Sequence, residues 1–141
     1  MTNQSDIATR LGAVALFEHC TKRDLRIVAR HAERLTVPAG TQVVCQGDKG
    51  DAFFLLLHGS ATARRDGRCV ATLGPGDCFG ELALLDPAPR AATVTTTQDT
   101  ELLVLGARMF NVLLRELPVL SAALLRVLAH RARNAGPIGH E

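Results

Sequence analysis

Residues 52–73 read AFFLLLHGSATARRDGRCVATL, and the way this stretch folds decides the class of the whole chain. The apolar run AFFLLLHG is too short for an ordinary helix and stops at Gly59, so it reads as a buried strand. SATARRDGRCVATL reads as a hairpin. Its two-residue turn is Asp66-Gly67, a pair that accepts the positive φ angles of a tight hairpin. Working outward, VPAGTQVV (37–44) sets a Pro-Ala-Gly turn before a β-branched run. GDKGD (47–51) is a loop hinged at Gly47 and Gly50, and GPGDC (74–78) is a further turn. AATVTTTQ (91–98) and TELLVLG (100–106) close the series, with Gln98-Asp99 between them. The count is about six to eight short strands at close spacing, the pattern of a sandwich, roll or barrel.

Helices flank this β region. The first ~35 residues have helical patterning, with a short helix expected from Ile7 to Phe17. Thr21 and Asp24 form a capping-box pair ahead of a second helix. Leu25, Val28, Ala29 and Ala32 then share one face. Near the other end, Phe110, Leu113, Leu114 and Leu117 share a face, and Pro118 interrupts and opens the next helix. There Leu120, Leu124, Val127 and Leu128 form a stripe that runs on to about Arg133. The order is helices, β region, helices: a mainly β (α+β) domain over residues 1–135, with 136–141 (GPIGHE) as a flexible tail.

Composition bounds the function. A chain of 141 residues is one domain's worth and can bury a core unaided. With 47% hydrophobic and 21% charged residues it does not match a disordered chain. A net charge of +2 is too weak to imply nucleic-acid binding by itself. The basic groups Arg64, Arg65 and Arg68, and Arg126, Arg131 and Arg133, read as solvated faces. The start is polar and lacks the apolar core of a signal peptide, and FFLLL and VLSAALL fall far short of the ~20 residues a membrane span needs. A cytoplasmic location is therefore expected. Cys20, Cys45, Cys69 and Cys78 make no C-x-x-C pair and read as small buried hydrophobes. His19 beside Cys20 has no further ligands to complete a metal site. The five histidines contain no H-x-H pair, and no nucleophile sits near a base, so catalysis is not expected.

The chemistry concentrates in CFGELALLDPAPRAATV (78–94), a mostly apolar stretch holding one glutamate, Glu81, and one arginine, Arg90. A run led by Gly80 makes a short helix, whose first N–H groups are unpaired and carry partial positive charge. Gly80 lets a ligand approach that backbone, which gives an anion site. The planar fork of Arg90 can hold two phosphate oxygens. A carboxylate beside a phosphate is repelled unless it points elsewhere, and a ribose hydroxyl gives Glu81 such a use. Plainer roles also fit: Glu81 suits a helix dipole, and Arg90 could lie on the surface or pair with Glu81.

GDCFGELALLDPAPRAATV resembles the phosphate-binding cassette of the cyclic nucleotide-binding domain family. Residues 16–63, LFEHCTKRDLRIVARHAERLTVPAGTQVVCQGDKGDAFFLLLHGSATA, resemble the family's front half, with glycines at Gly40, Gly47, Gly50 and Gly59. The likeness runs from about Leu16 to Arg133. It implies an eight-stranded β-roll (a double-stranded β-helix, jelly-roll-like) with N-terminal helices, a short cassette helix and C-terminal helices. It implies Arg90 on the cyclic phosphate and Glu81 on the ribose 2′-hydroxyl. Main-chain donors then come from Gly80, Glu81, Leu82, Ala91 and Ala92. Family members that prefer cGMP usually carry threonine after the arginine; Ala91 stands there, so cAMP is the expected ligand and cGMP the second choice. A residue of the last helix covers the base in this family, and Leu124, Leu125, Leu128 and Arg131 are candidates. The same leucines suit packing on the roll or a homodimer seam. The expected function is a stand-alone sensor, without cofactor or metal, that signals to an unidentified protein effector by moving its C-terminal helices. The alternative is a scaffold, or a fragment of a larger regulated protein, with weak or no nucleotide binding. About eight residues follow Arg133, too few for a helix-turn-helix, so neither direct DNA binding nor membrane insertion is expected.

Overall fold

The computed structural model describes residues 4–80 and 88–135. Helix α1 (Gln4–Leu11), a 3-10 turn (Ala15–Phe17) and helix α2 (Lys22–Arg30) lead into the strands. The single helix expected over 7–17 is thus two pieces. The chain turns at Gly12 and Ala13, where Gly12 lies close against Leu25 of α2. Helix α2 begins as its sequence predicts. Thr21 accepts the Asp24 N–H through its side chain, and Asp24 accepts the Thr21 N–H in return. Leu25, Val28 and Ala29 face the core, while Ala32 falls beyond the helix and packs half-buried against it.

Eight strands form two four-stranded antiparallel sheets. One has the order β1 (Glu33–Val37), β10 (Thr100–Gly106), β4 (Ala52–His58), β7 (Cys78–Phe79). The other has the order β2 (Gln42–Val44), β9 (Thr93–Thr96), β5 (Ala61–Arg65), β6 (Arg68–Leu73). A separate ribbon pairs β3 (Lys49–Gly50) with β8 (Ala88–Pro89). This is the expected β-roll flanked by helices, with α3 (Ala107–Glu116) and α4 (Pro118–Ala135) after the last strand. The hairpin turn sits where its sequence places it. Arg65 pairs with Arg68, and Asp66 and Gly67 both have positive φ, 53° and 80°. The ribbon β3–β8 falls in a stretch expected to be plain loop, and β1 falls where helix was expected. Glu33–Thr36 are exposed along this edge strand, so β1 carries none of the alternating pattern that marks a half-buried strand.

The continuous apolar run of β4 has a simple cause: its sheet is covered on both faces. Phe53, Leu55 and Leu57, with Leu103 and Leu105 of β10, pack against Phe17, Val28, Phe110, Leu113 and Leu120 of the helices. Phe54, Leu56 and Leu102 point the other way, into the roll, where Ala61, Ala63 and Val94 meet them. Side chains alternate across a strand, so every residue of β4 from Phe53 to Leu57 is committed to one of two cores. Each large side chain so buried contributes roughly 1.5–3 kcal/mol.

The cysteines are less buried than expected. All four are free; Cys20, Cys45 and Cys78 are only half-buried, and Cys69 lies exposed on β6, whose outer position leaves five of its six residues open to solvent. Residues 81–87, with Glu81, Leu82 and the expected cassette helix, lie outside the described residues, as does the tail expected over 136–141. Among the described residues, no helix is long and apolar enough to cross a membrane.

Candidate functional site

Arg90 is positioned by the small ribbon. Lys49 lies opposite Pro89 and Gly50 opposite Ala88. The Arg90 N–H donates to Asp48 O at 2.7 Å, and the Gly47 N–H donates to Arg90 O at 2.9 Å. Gly47 makes this turn at φ +88°, a conformation that favours glycine. Both main-chain groups of Arg90 are therefore held before its side chain makes any contact.

The guanidinium lies half-buried against the roll. Its Nη2 donates to Ala52 O at 3.0 Å. Its Cζ sits 5.7 Å from the centre of the Phe54 ring, within cation–π range. Phe54 in turn stacks on Phe79, with ring centres 4.8 Å apart and planes at 12°. Burial pushes the guanidinium pKa below its ordinary value, while nearby Asp51 pulls it back up. An arginine in such a setting keeps its charge.

Two glycines give the guanidinium its room. A Cβ on Gly50 would lie 2.6 Å from Nη2, and one on Gly80 would lie 2.7 Å from Nη1. Gly80 also has φ +84°, and its missing Cβ would collide with Ala52 O. The charge thus stands beside bare main chain, on a shelf of backbone and aromatic carbon. A fork tied inward through one nitrogen, with backbone at close range, suits a compact anion. Phe54 also lines a cleft of about 440 Å³ between β1 and β2, with Leu35, Val37, Val43 and Val104.

The structure places Gly80, one of the candidate site residues, beside the guanidinium of Arg90. Ala91 is exposed, and its carbonyl accepts from Arg65 Nε at 3.2 Å. Ala92 is half-buried and packs into the roll core. Glu81 and Leu82 lie outside the described residues. Among the base-cover candidates, Leu124 packs half-buried against the helix–sheet core and Leu125 is 70% exposed. The side chains of Leu128 and Arg131 are outside the described set. Sequence reasoning missed Ala52 O, Asp51, Phe54 and Phe79, and it read Gly50 only as a hinge. The signal available for Phe54 was the apolar run itself, which on a strand must present alternate residues to a second face. Among the described residues, no three His, Cys, Asp or Glu side chains gather to hold a metal.

Residues 34–116 match the family described as "Cyclic nucleotide-binding domain". The chain is 34% identical to the Cyclic AMP receptor protein of Thermus thermophilus over 125 residues, which cover 85% of this chain and 58% of that protein. The chain therefore spans little more than half of that relative's length. The N-terminal domain of a transcriptional regulator from Streptomyces coelicolor superposes with a TM-score of 0.83 at 31% identity, covering 89% of this chain and 91% of that one. The regulatory domain of Toxoplasma gondii PKA, solved with cAMP, superposes with a TM-score of 0.72 at 35% identity, covering 78% of this chain and 44% of that one.

Proposed function

From the premise that the chain belongs to the cyclic nucleotide-binding domain family, whose members are regulatory and sensor proteins, we propose that it senses a cyclic nucleotide and prefers cAMP to cGMP. Residues 1–135 act as one unit in this reading. The Arg90 guanidinium holds the cyclic phosphate. Main-chain N–H groups of Gly80, Glu81, Leu82, Ala91 and Ala92 surround it, and the Glu81 carboxylate accepts from the ribose 2′-hydroxyl. One observation carries the reading: a half-buried guanidinium tied inward to Ala52 O stands between Gly50 and Gly80, where no Cβ fits. The preference for cAMP rests on Ala91, whose side chain can neither donate to nor accept from a guanine.

Ligand and helices are linked through population. A nucleotide moves the terminal helices only as far as it binds one arrangement better than the other. Helices α3 and α4, packed on the outer face of the β4–β10 sheet, are the moving part, and a protein effector reads the change.

Calorimetric titration with cAMP and with cGMP tests this. Saturable heat is expected with both, tighter with cAMP. Arg90→Leu should weaken cAMP by roughly 2–5 kcal/mol, the loss that follows removal of one partner of a desolvated charge pair. Unchanged affinity in that variant overturns the assignment. Binding of 2′-deoxy-cAMP as tight as that of cAMP removes Glu81 from its role.

A further inference from the structure

The turn that holds Arg90 is itself held. Gln46 directly precedes Gly47 and Asp48, the two residues that bond both main-chain groups of Arg90. The Gln46 side-chain amide is engaged at both ends by the tip of the β5–β6 hairpin. Its Nε2 donates to Asp66 Oδ1 at 2.9 Å, and its Oε1 accepts the Asp66 N–H at 2.9 Å. Its own N–H donates to Thr93 Oγ1 at 2.9 Å. One residue before Asp66, Arg65 Nε donates to Ala91 O. The hairpin tip therefore grips the chain on two sides of Arg90, once through the turn that pairs with it and once at the residue after it.

Asp66 adds a second consideration. It stands at φ +53° beside Gly67, a position glycine fills with less strain. Aspartate is tolerated there, and it supplies the carboxylate that completes the clamp on Gln46.

We infer that Gln46 and Asp66 are positioning residues for Arg90: by clamping the 45–50 turn to the hairpin tip, they set how tightly Arg90 holds an anionic ligand. This rests on the reading of Arg90 as the ligand's cation. Two bonds to one planar amide fix its orientation as well as its place, which a single bond does not. The pair is exposed, so its loss adds little to global unfolding, yet it shifts local opening of a two-residue ribbon.

The test combines two measurements on the full chain: amide hydrogen exchange by NMR without ligand, and calorimetric titration with cAMP. The proteins are wild type, Gln46→Ala, Asp66→Gly and Asp66→Asn. In Gln46→Ala and Asp66→Gly, the Gly47 and Arg90 amides should exchange roughly three- to tenfold faster, with cAMP affinity falling by a similar factor and the Phe110 amide unaffected. Asp66→Asn keeps an oxygen for Gln46 and accepts a positive φ, so it should match wild type in both. Unchanged exchange at Gly47 and Arg90 overturns the inference, as does faster exchange with unaltered affinity. Acceleration that includes Phe110 also overturns it, since the pair would then serve global stability. A wild type that gives no heat with cAMP or cGMP overturns the sensor reading instead, and the exchange rates alone then decide whether the pair holds Arg90.

Discussion

Gly50→Ala separates the site from the scaffold. Among the described glycines with positive φ, Gly50 is absent, so alanine fits its backbone. What stands in the way is the end of a flexible side chain: the new Cβ would fall on the Arg90 guanidinium, 2.6 Å from Nη2. The guanidinium must leave. Its bond to Ala52 O and its contact with Phe54 go with it, at about 1 kcal/mol for the bond and about 0.5–1 kcal/mol for the ring contact. Replacing glycine returns about 0.4–1 kcal/mol by restricting the unfolded chain. Stability should therefore fall by roughly 0.5–1.6 kcal/mol. The affinity for cAMP should fall by at least as much, roughly ten- to hundredfold or about 1.4–2.7 kcal/mol, because a displaced fork recovers only part of the phosphate contact. Urea unfolding reads the first quantity and calorimetry the second. The double variant Gly50→Ala/Arg90→Leu should bind no worse than Arg90→Leu alone, since both changes remove one interaction. Wild-type affinity in Gly50→Ala, or full additivity in the double variant, refutes the reasoning.

Gly80→Ala should behave differently. Its φ of +84° and the collision with Ala52 O involve backbone, which cannot swing aside. A loss of about 1–3 kcal/mol in urea unfolding is expected, and a fully stable variant would show that the turn at Gly80 is softer than argued. Cys20 gives a pH dependence. Burial, and then nearby Asp24, raise its thiol from 9.0 to about 11. The folded form thus keeps its proton after the unfolded form has lost it, so this contribution is intact below pH 9 and is lost as pH rises towards 11. Cys20→Ser should unfold with a shallower decline across that window; an equal decline in both proteins assigns the effect elsewhere.

What the sequence disclosed, it disclosed through local chemistry. Asp66-Gly67 needs positive φ at both positions, Thr21 and Asp24 cap each other, and Pro118 can only begin a helix, so these boundaries are readable from neighbours a few residues away. Gly80 and Arg90 were readable as a pair because both lie in one short segment. The parts that escaped are non-local. Strand β1 has an exposed edge and no pattern, so only its pairing with β10 defines it. The ribbon that seats Arg90 joins Lys49 to Pro89, which are distant in the chain. Gly50 looks like any loop glycine until the guanidinium is found where its Cβ would be. Cys69 looks like its three counterparts until β6 proves to be an outer strand.

The division of β4 between two cores also governs where the gene can gain or lose a codon. Deleting or inserting one residue just before Phe53 would rotate every later side chain of β4 to the opposite side. Phenylalanine and leucine would still fill both compartments, so hydropathy would register no fault. Yet the ring that carries Arg90 would be delivered to the helices, and the ring that meets Phe17 would be delivered to the inside of the roll. Frame length within this strand, more than the identity of its residues, is what inheritance has to preserve.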